Sequence, residues 1–92
     1  MSAALRLRLF VAGGNPRALR TVEEVRERCA SLVDTAVELE VVDIYQQPDL
    51  AERDRVVAAP TLLRLSSPPR RLVGDVADQT RLRRLLTETE EA

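Results

Sequence analysis

Two stretches of alternating polarity, separated by a stretch of helical periodicity, constrain this chain more than any other feature. Leu5, Leu7 and Leu9 alternate with Arg6 and Arg8 and run on into Phe10, Val11 and Ala12. Val37, Leu39 and Val41 alternate with Glu38 and Glu40 before Val42, Asp43 and Ile44. Successive side chains on a strand point to opposite faces, so each run reads as a strand with one apolar side. Between them Leu19, Val22, Val25, Cys29, Leu32 and Val33 recur at steps of three and four, with Arg20, Glu23, Glu24, Arg26, Glu27 and Arg28 opposite. That spacing predicts an amphipathic helix. Gly13 and Gly14 break the first strand, Asn15 offers a helix cap, and Pro16 a pre-set first helical residue. Strand, helix and strand in succession require a parallel pair with a right-handed crossover.

The second half is organised differently. Pro48 opens a short helix through Leu50, Ala51 and Asp54. Thr61 to Leu65 is a β-rich run, Ser66 to Pro69 a turn cluster, and Arg70 to Val73 a short strand closed by Gly74, which together predict an antiparallel hairpin. Asp78 can cap a last helix with Leu82, Leu85 and Leu86 on one face and Arg81, Arg83 and Arg84 on the other. The order β, α, β, α, β, β, α predicts an α/β fold of thioredoxin-like architecture. Pro60 opens an interior strand, and X-Pro bonds alone adopt the cis form at modest cost, so Ala59–Pro60 is expected to be cis.

Composition excludes several functions. Ninety-two residues make room for one core, so residues 1–92 are read as a single domain with Glu88 to Ala92 as a frayed polar tail. Lys plus Arg is 14 against 15 for Asp plus Glu, a net charge of −1, which gives no excess positive charge for a nucleic-acid backbone. One Phe, one Tyr and no Trp leave no base-stacking platform. With no His, the usual general base, metal ligand and pH switch are missing. A single Cys forms neither an internal disulfide nor a CxxC pair and suits a reducing compartment. No apolar run approaches the roughly 20 residues of a membrane span. The expectation is a cytoplasmic protein with no membrane or nucleic-acid partner, no catalytic residues, no cofactor and no metal.

Leu9-Phe10-Val11-Ala12-Gly13 with Pro16 and Arg20, then Val42-Asp43-Ile44 with Gln47-Pro48-Asp49-Leu50-Ala51-Glu52, carry a further message. With Pro60-Thr61-Leu62 and Pro68-Pro69-Arg70-Arg71-Leu72-Val73-Gly74-Asp75 they resemble, in order, the KaiB family of circadian clock proteins. The resemblance runs from Leu5 to Leu86. It implies a non-enzymatic partner that docks on the ring ATPase KaiC and can sequester its activator KaiA. It also implies two folds, a self-associating, usually tetrameric ground state and the thioredoxin-like form that binds KaiC. Where clock-type members carry Gly and Asp in the last apolar segment, this chain has Leu85 and Thr87. Gly inside a helix costs roughly 0.5–1 kcal/mol and an Asp near the C-terminal end roughly 0.3–1 kcal/mol, so losing both favours the final helix. Glu88, Glu90 and Glu91 offset part of that bias. The thioredoxin-like form is therefore expected to be favoured over the tetrameric ground state, as a monomer or weak homo-oligomer.

The same resemblance places Arg20 and the Asp54-Arg55 pair at or near the KaiC-docking face. The family tends to have Ala and Lys where this chain has Glu38 and Glu40, an inverted edge charge that weakens the case for a KaiA-like partner. It keeps open a sensory or stress-response module that docks on a signalling kinase. Against a binding patch stands a solvated ladder in which Glu38 and Glu40 face Arg6 and Arg8 across neighbouring strands, with Arg64 on a third. Cys29 lies on the apolar stripe of its helix, whereas the strand–helix junction Gly13-Gly14-Asn15-Pro16-Arg17 holds no nucleophile, so Cys29 is read as core. Gly13 and Gly14 serve the tight turn rather than a phosphate cradle. Asp49, Glu52, Asp54 and Asp75 are scattered carboxylates without a metal-ligand spacing, with solvation and capping as their default roles.

Overall fold

The computed structural model describes residues 4–89. The alternating runs form β1 (Leu5–Val11) and β2 (Val37–Asp43), joined by α1 (Pro16–Leu32). The chain continues through α2 (Pro48–Arg53), β3 (Thr61–Arg64), β4 (Arg70–Val73) and α3 (Gln79–Thr87). The strands lie in the order β2-β1-β3-β4, with β1 parallel to β2 and the other pairs antiparallel.

Helices α1 and α3 cover one sheet face, where Leu7, Leu9, Val11 and Leu62 meet Ala18, Val25, Cys29, Leu82, Leu85 and Leu86. The six-residue α2 covers only part of the other face, where Phe10, Val42 and Leu63 meet Ala51. The helix starts are chemically set. Asn15 Oδ1 accepts from the Ala18 amide at 2.9 Å ahead of Pro16, and the Asp78 carboxylate accepts from the Arg81 amide at 2.9 Å. Gly13 turns the chain between β1 and α1 at φ 84°, which a side chain would strain. The Ala59–Pro60 and Ser67–Pro68 peptides are cis; the second lies in the β3–β4 turn and the sequence reading does not anticipate it.

Two expectations need correction. Leu19 does not belong to the buried stripe of α1: it is 59% exposed, and Ala18, one position earlier on the 3.6-residue period, takes its place. Arg64 does not join the charge ladder. The antiparallel register sets Thr61 opposite Phe10 and Arg64 opposite Leu7, which turns Arg64 to the helical face. There it is 7% exposed, and its Nη1 donates to the carbonyls of Leu85 (2.9 Å), Leu86 (3.2 Å) and Glu88 (2.9 Å). Its Nη2 donates to the Ser67 carbonyl at 3.3 Å. These include carbonyls at a helix end that have no intrahelical donor, and a cation there complements the helix dipole. The Glu88 carboxylate pairs with Arg70 as well. The rest of the expected frayed tail, from residue 90 onward, lies outside the described residues.

Candidate protein-docking site

The parallel register of β1 and β2 sets Arg6 opposite Glu38 and Arg8 opposite Glu40 on the face that α2 half covers. Arg8 Nε donates to Glu40 Oε1 at 2.7 Å, and its Nη1 donates to Asp54 Oδ2 at 2.9 Å. Arg53 Nε reaches the other Asp54 oxygen at 3.3 Å. Arg8 and Asp54 are mostly shielded, with side chains 14% and 16% exposed. The hydrogen bond to Glu40 raises the Arg8 pKa, against its partial burial, with Asp54 adding to the rise. Partial burial opposes the charge on Asp54, yet the hydrogen bonds from Arg8 and Arg53 outweigh it and hold the carboxyl below its ordinary value. Asp54 and Glu40 thus act as struts joining α2, β1 and β2. Glu38 stays exposed and makes no ion pair among the described residues.

The turn after α2 presents Arg55, exposed and with a positive φ of 56°. Arg71, to which the sequence assigns no role, crosses from β4 and donates to the carbonyls of Asp54 (2.6 Å) and Arg55 (3.0 Å). Arg20 is exposed on α1, on the opposite side of the sheet from α2. The structure therefore brings Glu40, Asp54 and Arg55 together, keeps Glu38 one pair further along β2, and places Arg20 apart from them.

At the carboxyl end of β1 the elements converge. Asp43 Oδ1 accepts from the amides of Gly13 (3.0 Å) and Tyr45 (2.9 Å), fastening the ends of β1 and β2. The Asp43–Tyr45 bond is a local Asx turn, a signal available in the sequence that the reading passes over. Beside it a cleft of about 620 Å³ lies between Asn15, Arg17, Tyr45, Pro60 and Asp75. Leu19 on α1, Tyr45 after β2, Val57 in the loop after α2 and Val73 at the end of β4 are large apolar side chains left exposed. No thiol reaches the cleft. Cys29 is buried in the core, and burial pushes its thiol up to about 11.

Fold and site together define a class, a thioredoxin-like α/β domain whose strand–helix junction carries no redox-active cysteine. The KaiB domain profile matches residues 8–88, and the chain belongs to the KaiB family. It is 38% identical over 77 residues to the circadian clock oscillator protein KaiB of Prochlorococcus marinus (strain MIT 9312), covering 83% of this chain and 73% of that protein. The corresponding protein of Synechococcus sp. (strain RCC307) is also 38% identical over 77 residues, covering 83% of this chain and 70% of its own. Among solved structures, the N-terminal domain of Synechococcus elongatus SasA superposes with a TM-score of 0.82 at 27% identity, over 100% of this chain and 91% of that one. A thioredoxin from Fasciola hepatica superposes with a TM-score of 0.69 at 24% identity, over 91% of this chain and 79% of its own, and shares the fold alone.

Proposed function

We propose that this chain is a non-enzymatic clock adaptor that acts in the cytoplasm and docks on a KaiC-type ring ATPase. The observation that carries the reading is that a KaiB-family domain with no thiol at its strand–helix junction leaves large apolar side chains exposed next to exposed arginines at two places, Leu19 beside Arg20 on α1 and Val57 two residues beyond Arg55 after α2. Exposed apolar groups bordered by cations suit a protein surface rather than a small substrate. The thioredoxin-like arrangement is the resting form in this reading, supported by the burial of Leu85 in α3, by the Thr87 hydroxyl bonding back to the Arg83 carbonyl at 2.8 Å, and by the Arg64 cap. A KaiA-like activator fits poorly, because the β2 edge carries Glu38 and Glu40. The same edge supports the second reading, docking on a signalling kinase. Mixing the purified chain with the ring ATPase, with and without nucleotide, should give a co-eluting complex on sizing. Co-elution with the kinase alone would transfer the function to the second reading.

A further inference from the structure

Helix α2 ends in a turn that favours glycine, and this chain places an arginine there. Val56 N donates to the Ala51 carbonyl at 2.8 Å and Arg55 N to the Glu52 carbonyl at 3.0 Å. These are the paired bonds of a Schellman turn, whose left-handed residue is most often glycine. Arg55 occupies that position at φ 56°, a conformation that crowds its own Cβ. Two clamps hold the strained residue from separate strands. Arg71 on β4 donates to the Asp54 and Arg55 carbonyls, and Arg8 on β1 grips the Asp54 carboxylate. Val56 packs against the core, whereas Val57, the next residue, is 98% exposed.

Neither feature serves the fold. A glycine would relax the turn, and the Val57 side chain covers nothing. We infer that Arg55 and Val57 form a preorganised docking hook and that Arg71 is its positioning residue. The partner supplies an apolar socket for Val57 bordered by carboxylates for Arg55. The sign follows from Arg55 itself: its side chain is exposed and joins no ion pair among the described residues, whereas Arg8 and Arg53 are taken up by Glu40 and Asp54, so the Arg55 charge is left for a partner's carboxylates. A hook held in place before contact avoids the ordering cost that a mobile loop meets on binding. The inference rests on the docking reading above and adds to it an anchor and a clamp.

Two measurements test it. In nitrogen-15 relaxation of the free protein, the amides of residues 55–58 should be as ordered as those of β1 and become mobile in Arg71→Ala, with Arg71→Lys intermediate. A turn that is mobile in the wild type, or unchanged in Arg71→Ala, overturns the clamp. With the KaiC-type ring ATPase as probe, Val57→Asp and Arg71→Ala should each weaken affinity about tenfold or more, a loss of the size seen when a central anchor is removed. Arg55→Gly should raise the melting temperature and still weaken binding, which a merely structural residue would not do. Wild-type binding that survives Val57→Asp within about twofold refutes the hook and leaves the docking reading standing. A wild type that does not bind refutes both.

Discussion

Replacing Arg64 with Met tests whether a buried guanidinium secures the closing helix. Met fills similar space, so the change removes the donors without opening a large cavity. The structure shows three contacts from Nη1 to the Leu85, Leu86 and Glu88 carbonyls and one from Nη2 to Ser67. A hydrogen bond from a charged donor contributes about 1.5–3 kcal/mol net, and a buried carbonyl left without a donor costs about 1–3 kcal/mol. The desolvation of the guanidinium, whose Nε has no partner among the described residues, works the other way. Water also reaches the Glu88 carbonyl once the helix end loosens. These terms leave a loss of about 3 kcal/mol, a large fraction of the roughly 5–14 kcal/mol expected for a domain of this size. The melting temperature should fall by roughly 12–24 °C. Thermal and urea unfolding followed by far-ultraviolet circular dichroism reads both quantities, and Arg64→Lys, which keeps the charge but not the fork, should lose less. An Arg64→Met protein within about 0.5 kcal/mol of wild type would refute the reasoning.

Three further outcomes follow. The Asp54 carboxyl lies below its ordinary value of 3.8 when folded, so its contribution is present above that value and is lost as pH falls through the folded one. Urea midpoints should therefore decline more for wild type than for Asp54→Asn between about pH 5 and pH 2, and parallel declines would contradict the Arg8–Asp54 strut. Wild type should sediment as a monomer or weak oligomer with helical chemical shifts over residues 82–86. Leu85→Gly with Thr87→Asp should cost about 1–2 kcal/mol in helix terms, plus lost burial, and shift the population toward self-association. A wild-type tetramer with extended shifts there contradicts the resting form proposed. Burial and a thiol pushed up to about 11 should make Cys29 react near neutral pH about a hundredfold more slowly than free cysteine, and fast labelling would count against its core placement.

Local periodicity made most of the fold legible. The period-two runs of β1 and β2, the Asn15–Pro16 helix start and the leucines of α3 each carry their own signal, and the β1–β2 register follows from matching apolar faces. What escaped depended on distant register. Arg64 has the residue type of a ladder partner, and only the pairing of Thr61 with Phe10 sends it to the helical face. Arg8 reads as a surface charge until α2 descends far enough to bring Asp54 to it. The reach of Arg71 to the end of α2 likewise spans a separation no local pattern encodes. Leu19 departs from expectation for a simpler reason, since it sits beside the stripe while the less conspicuous Ala18 lies on it. The charge of the residues proposed for docking is visible in the sequence, but the left-handed turn at Arg55 and the exposure of Val57 are not.

Association kinetics with the KaiC-type ring ATPase test the central claim most directly. Wild type should bind saturably, and Arg20→Glu and Arg55→Glu should each slow association, with the slowing diminished at high salt, as expected for charges that steer encounter. Saturable binding with association rates unchanged in both variants would contradict the placement of the interface, and no binding at any salt concentration would contradict the docking function itself.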